Sequence, residues 1–257
     1  MPNPYRRIAL DGEAVVKEAL RRLDQPARRA FLRRSLTLGG LSLLTGCAIV
    51  DEESVERALM KVSRLNDKVQ AWLFDPTLLA PTYPESMITR PFPFNAYYKV
   101  DEVPEVDASE FRLEVGGLVA DRHAWALEEL RALPQTDQIT RHICVEGWSA
   151  IGKWGGVNFG TFLRRVGADL SARYVGFQCA DDYSTSIDMP TALHPQTLLA
   201  LSFDGEPLPP RYGFPMKLRM PTKLGYKNPK HIEAIFVTNT YPGGYWEDQG
   251  YNWFGGS

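Results

Sequence analysis

Between residues 55 and 72 the apolar positions fall at Val55, Ala58, Leu59, Val62, Leu65, Val69 and Trp72. Steps of three and four predict one amphipathic helix over 51–73, lifting the body from an anchor or packing on it. Residues 75–105 are proline-rich and aperiodic, so they predict an extended loop draped over a domain, with Phe92, Phe94, Tyr97 and Tyr98 seeking burial. From Phe111 the pattern turns mixed. Phe111, Leu113 and Val115 alternate as a strand, Leu127 to Leu133 forms a short helix stopped by Pro134, and Phe159 to Val166 is a helix closed by Gly167. Further strands are predicted at Ile139–Val145, Tyr174–Cys179, Ser184–Asp188, Leu198–Phe203, Met216–Met220 and Ile232–Thr238, with a turn at Asp204-Gly205. Short strands outnumber short helices, which points to an α+β domain. Six aromatics crowd into Tyr241–Phe254, and their expected role is to close the core, with a docking patch as the alternative.

One strand carries chemistry. Along Thr140-Arg141-His142-Ile143-Cys144-Val145-Glu146-Gly147-Trp148 the side chains alternate. Ile139, Arg141, Ile143 and Val145 share one face, read as the core face; Thr140, His142, Cys144 and Glu146 share the other. Gly147, Gly152, Gly155 and Gly156 then predict a glycine-rich loop at the strand end. A Cys/His nucleophile would need an imidazole that activates the thiol, and no orienting Asn or Asp is evident. Zinc would need four ligands, without a C-x-x-C or H-x-x-x-H pair to supply them. A soft metal that draws its other ligands from a cofactor needs only one cysteine. A plain buried thiol, or a Cys144–Cys179 disulfide, also fits.

The composition, 44% hydrophobic and 23% charged over 257 residues, is ordinary for a globular chain and excludes a disordered or nucleic-acid-coating protein. Charge is uneven. Residues 1–46 hold nine basic and four acidic side chains, leaving 20 basic and 27 acidic in the remainder. That makes a basic leader on an acidic body, and such a body suits a basic electron carrier. Arg28-Arg29-Ala30-Phe31-Leu32-Arg33 resembles a twin-arginine export signal. The apolar run Ser35–Gly46 rises only about 18 Å as a helix, too short for a bilayer core of about 30 Å. Leu44-Thr45-Gly46-Cys47 resembles a lipoprotein box, so the expected location is periplasmic, with Cys47 as a lipid anchor. A route for folded proteins fits a chain whose bulky cofactor is inserted first. The expected domains are a leader over 1–46, an amphipathic helix and proline-rich connection over 47–84, and a catalytic domain over 85–257.

Arg141 to Ser149, with the core Arg141-His142-Ile143-Cys144-Val145-Glu146-Gly147-Trp148, resembles the molybdenum-cysteine strand of the sulfite oxidase superfamily. Its nearest likeness is to the branch of periplasmic methionine-sulfoxide reductase catalytic subunits. Tyr174-Val175-Gly176-Phe177, Leu193-His194-Pro195, Leu208-Pro209-Pro210 and Leu224-Gly225-Tyr226-Lys227 extend the likeness from about Asn95 to Ile235. The resemblance implies mixed sheets with short helices and a molybdenum–molybdopterin cofactor in its mononucleotide-free form. It makes Cys144 the protein thiolate on the metal, a soft donor suited to a metal of changing charge. Asn95, Tyr98 and Lys99 would lie along the pterin. Cys179, Tyr212 and Lys217 fall where the branch usually carries Thr, Asn and Arg. Asn228 and Lys230 fall on the segment around the cofactor's phosphate, where Lys217 and Lys230 suit a dianion. Glu146 is a candidate proton donor.

The sulfite-oxidising branch keeps an arginine near the metal, in the stretch matching Phe94-Asn95-Ala96-Tyr97; no arginine stands there, which argues against sulfite. That branch also adds a C-terminal dimerisation sandwich, which this chain is expected to lack. The expected function is oxygen-atom or two-electron transfer, with sulfoxide reduction, small-molecule or protein-bound, as the candidate reaction. The alternatives are a sulfite-dehydrogenase-like enzyme, a non-catalytic lipid-anchored binding or assembly module with Cys144 and Cys179 oxidised, and a cysteine hydrolase. With no C-x-x-C-H haem motif and no iron–sulfur cysteine run, electrons must come from a membrane haem subunit or a soluble cytochrome. A monomeric catalytic subunit that binds no nucleic acid is expected.

Overall fold

The computed structural model describes residues 52–257, so the twin-arginine motif, the apolar run and Cys47 lie outside the described residues. The chain divides into units 1–59 and 60–257. In the first, residues 52–59 begin helix α1 (Glu52–Leu73), which continues into the second. Within the second unit this helix packs through its polar side. Met60, Ser63, Asp67 and Gln70 are half-buried, whereas Val62, Leu65, Val69 and Trp72 are exposed. The polar side docks because it has partners: Asp67 Oδ1 accepts the Phe254 N–H at 2.8 Å, and just past the helix Phe74 packs edge-on against the Phe254 ring.

Two five-stranded sheets form the body. The first runs β2 (Trp125–Ala126), β1 (Arg112–Gly117), β10 (Ile232–Thr238), β5 (Tyr174–Cys179), β6 (Ser184–Asp188). Only β1 and β10 are parallel. The second runs β3 (Gln135–Ile143), β4 (Ser149–Asn158), β7 (Leu198–Phe203), β8 (Glu206–Pro207), and β9 (Lys217–Arg219) also pairs with β7. Helices α2 (Leu127–Ala132), α3 (Phe159–Arg165) and α4 (Met189–Ala192) are short. Asn158 starts α3, its Oδ1 accepting the Thr161 N–H at 3.0 Å, and Gly167 ends it with φ +62°. Leu113, Phe159, Phe162, Phe177, Ile235 and Val237 belong to an apolar core built by the first sheet, α3 and one face of the second sheet, which adds Val157, Leu199, Leu201 and Leu218. Each such side chain contributes about 1.5–3 kcal/mol by leaving water.

The strand that carries Cys144 departs from expectation in three ways. It begins four residues earlier, at Gln135, and ends at Ile143, leaving Cys144 in the connecting turn. Of the residues read as a glycine-rich loop, Gly147 lies in the turn, whereas Gly152, Gly155 and Gly156 lie in strand β4 and serve close packing. A Cβ on Gly156 would lie 2.0 Å from the Leu199 carbonyl oxygen, beside a register shift in the β4–β7 pairing. The faces are also exchanged: Gln138, Thr140, His142 and Cys144 are buried, while Val145 is exposed and Ile139 and Ile143 are only partly covered. The inward face of this hairpin is polar because what it looks onto is polar, as the cavity shows.

Candidate active site

Residues 144–148 turn β3 back into β4. The Cys144 N–H donates to the Trp148 carbonyl at 2.9 Å and the Gly147 N–H to the Cys144 carbonyl at 3.1 Å. Gly147 has φ +94°, a conformation that favours glycine. The turn leaves the Cys144 sulfur at the inner wall of a cavity of about 600 Å³. Asn95 Nδ2 donates to Sγ at 3.2 Å. The thiol itself donates toward Glu146 Oε2 at 3.6 Å, and that same oxygen accepts from Trp148 Nε1 at 2.8 Å. Burial pushes the Cys144 thiol up, the Glu146 carboxylate adds to this, and the Asn95 amide works against it. A cysteine nucleophile needs the opposite shift. His142 gives no help: neither ring nitrogen has a hydrogen-bond partner, so no imidazole–thiol pair forms. The disulfide reading also fails, because Cys144 and Cys179 are both free thiols. Among the described residues, no three His, Cys, Asp or Glu side chains converge as a metal ligand set.

Seven of the expected site residues line this cavity: Asn95, Tyr98, Lys99, Cys144, Glu146, Asn228 and Lys230. The Tyr98 hydroxyl donates to Asp181 Oδ2 at 2.9 Å. Asn228 Oδ1 accepts the Met220 N–H at 2.6 Å, and its Nδ2 donates to the Leu224 carbonyl at 2.9 Å, which fixes the turn at Gly225–Lys227. Lys230 Nζ lies 4.7 Å from the Phe94 ring centroid; burial brings its pKa down to about 8, with Asp181 opposing. The other three stand away from the lining. Cys179 is in the apolar core, Lys217 is buried behind Lys230, and Tyr212 packs on Phe92 and Phe203 with its hydroxyl donating to the Phe92 carbonyl at 2.7 Å.

Sequence reasoning missed Asp181, Gly225, Arg219 and the aromatic wall of Tyr97, Tyr183, Trp246 and Tyr251. The tail aromatics therefore divide their work. Phe254 is buried in the body, while Trp246 and Tyr251 line the cavity and Tyr241 and Tyr245 are exposed. Lys217 and Arg219, two apart on β9, were the available signal for an inward basic face.

Behind the lining lies an unusual set of buried polar groups. His142 is 1% exposed with two unpartnered nitrogens, and burial with the nearby Arg219, Lys217 and Lys230 charges holds its pKa well below the usual value. Arg219 is fully buried with Nε unpartnered, although Nη2 donates to the Arg141 carbonyl at 2.6 Å and Thr140 Oγ1 at 3.1 Å, and Nη1 to the Met220 carbonyl at 2.9 Å. Among the described residues the Lys217 ammonium has no hydrogen-bond or ion-pair partner and lies over the Trp154 ring, 4.8 Å from its centroid. Buried polar groups are almost always satisfied, so such a cluster marks a place for a ligand. A Cβ on Gly225 would come within 2.8 Å of His142 Nε2 and 3.4 Å of Asn95 Nδ2, so the glycine keeps a gap open between them. A hydrogen-bonding heterocycle with an anionic end fits these donors and cations, and a soft metal fits the sulfur beside them.

Comparison with known proteins names the class. The model of the oxidoreductase molybdopterin-binding domain matches residues 100–246, and the chain belongs to this family, within the sulfite oxidase superfamily. It is a molybdopterin oxidoreductase. Among individual relatives, it is 74% identical, over 100% of its length and 99% of the other's, to an Azospira oryzae protein provisionally named protein-methionine-sulfoxide reductase subunit YedZ1. It is also 33% identical to the protein-methionine-sulfoxide reductase catalytic subunit MsrP of Xanthomonas axonopodis, over 54% of this chain and 48% of that one. The chain thus spans about half the length of that MsrP relative. In fold it resembles the sulfane dehydrogenase SoxCD of Paracoccus pantotrophus, with a TM-score of 0.51 and 19% identity over 54% of this chain and 40% of that one.

Proposed function

We propose that the chain reduces sulfoxides, with Cys144 as the protein ligand to molybdenum. The observation that carries this reading is the Cys144 sulfur at the cavity wall, hydrogen-bonded by Asn95, beside buried donors that no protein group satisfies. His142, Asn95, Tyr98 and Lys99 would lie along the pterin, and Asn228, Lys230 and, deeper, Lys217 and Arg219 toward its phosphate. Bound there, the cofactor supplies a metal that cycles through two electrons. Reducing a sulfoxide takes two electrons and two protons and releases a sulfide and water. Glu146, whose Oε2 accepts from Trp148 Nε1, would supply a proton to the reaction. The aromatic wall of Tyr97, Tyr183, Trp246 and Tyr251 offers a surface against which the apolar substituents of a sulfoxide can pack. Relatives that carry methionine-sulfoxide reductase names support the same direction.

We also propose the twin-arginine route, a periplasmic location with Cys47 as anchor, the three-part division at 46/47 and 84/85, a mononucleotide-free cofactor, and electron supply from a membrane haem subunit or soluble cytochrome. Protein matured through its own export route should carry one molybdenum per chain and reduce methionine sulfoxide with reduced viologen. Metal-free native protein, or oxidation of sulfite without any sulfoxide reduction, would overturn this assignment.

A further inference from the structure

We propose that the outward face of α1 within residues 60–73 is a membrane-surface dock for an anionic lipid bilayer. Val62, Leu65, Val69 and Trp72 form one stripe, and Trp72 is 82% exposed. Leu73, Leu78 and Leu79 are exposed as well and line a groove beside the helix with Gln70, Phe74 and Asp75. A soluble helix normally turns such a stripe inward. Here the inward side is already committed through Asp67 and the Phe74–Phe254 pair, so rotating the helix would break contacts the body uses.

Charge selects the occupant. Lys61, Arg64 and Lys68 follow at steps of three and four along one border of the stripe and are all exposed. The only acidic residue in 60–73, Asp67, is turned onto the body. An apolar stripe with an exposed Trp and a cationic border is the pattern of a helix lying in a lipid interface. Cations near an anionic surface contribute there directly. The chain reaches this helix from residues 1–51, which end a few positions after an apolar run too short to span. No helix among the described residues is long and apolar enough to cross a bilayer. Contact along the surface is the mode left to the described part. A coiled coil with a second copy is less favoured, since the 22-residue helix holds only three heptads and puts Ala58 and Trp72 at two of the three positions where Leu is preferred.

The test reads the surroundings of one side chain, so it does not depend on how the leader holds the chain. The full-length protein is mixed with phosphatidylcholine vesicles, with or without phosphatidylglycerol and with or without brominated acyl chains. Its fluorescence is compared with that of Trp72→Phe, and the difference isolates Trp72. The Trp72 signal should shift blue and be quenched by lipid bromine in phosphatidylglycerol vesicles, far less in pure phosphatidylcholine, and less as salt rises. Lys61→Gln and Lys68→Gln should each lower the docked-to-undocked ratio about fivefold. Leu65→Ser, at an exposed site, should abolish quenching while thermal unfolding stays unchanged. An unquenched Trp72 in a folded wild type overturns the proposal. So does a Trp72 that is shielded in lipid-free solution while sedimentation shows a dimer that Leu65→Ser dissociates, which would assign the stripe to a second copy.

Discussion

The two sheets bury their residues in opposite styles. Around the first, Leu113, Phe159, Phe162 and Phe177 exclude water with no polar atom to satisfy. The second turns Thr140, His142, Lys217 and Arg219 inward, and several of their donors lack partners in the folded chain. Unsatisfied burial opposes folding. The second sheet also lends Val157, Leu199, Leu201 and Leu218 to that apolar core, so stability comes from the first sheet and one face of the second, while the other face of the second holds groups whose value appears only when something binds.

The sharpest way to break this contrast is Cys144→Ser. Activity should vanish and molybdenum content should fall to a small residual fraction, as read by viologen assay and elemental analysis, while chemical denaturation of the metal-free forms moves by no more than about 1 kcal/mol. Phe177→Ala should do the reverse. It removes a fully buried ring and should lower stability by about 4 kcal/mol, with the surviving folded fraction keeping its metal. A buried ion pair gives the next effect. Lys227 is paired with Glu247, which also accepts from Thr185 Oγ1 at 2.6 Å, so Glu247→Ala should cost about 3 kcal/mol by strandling the ammonium. Lys217→Met goes the other way: removal of a buried cation with no ionic partner should stabilise the metal-free protein by about 1 kcal/mol while cofactor retention falls.

The smallest effect is on pH. Burial lowers the Lys230 pKa to about 8, so in the cofactor-free fold the ammonium is lost as pH rises through that value. An anion at Lys230 favours the charged form, so binding takes up a proton above about pH 8 and weakens as pH climbs further. Cofactor retention measured between pH 7 and 9.5 should fall in the wild type and level off in Lys230→Arg, whose guanidinium keeps its proton.

Much of this was legible from periodicity. The strands at 174–179, 184–188, 198–203 and 232–238 follow their alternation, and the helix at 159–165 follows its Asn158 cap and Gly167 stop. Strand β4 was hidden because glycine lowers strand propensity, and its glycines are explained only by neighbours such as Leu199 that lie far along the chain. The inverted face of β3 was hidden for a related reason: alternation shows that two faces differ, and a polar interior reverses which one is buried. Which side of α1 packs was not legible either, since the partner of Asp67 is Phe254, far along the chain. In the site, the motif around Cys144 was readable. Arg219, Gly225 and Asp181 were not, because their meaning comes from the turn, the cavity and the hydroxyl of Tyr98 rather than from local spacing.

The central claim is that the sulfur of Cys144 holds the metal. X-ray absorption at the molybdenum edge, on wild type and on whatever loaded fraction of Cys144→Ser can be recovered, tests it most directly. The account predicts one fewer sulfur neighbour around molybdenum in the variant. An unchanged sulfur count would contradict it.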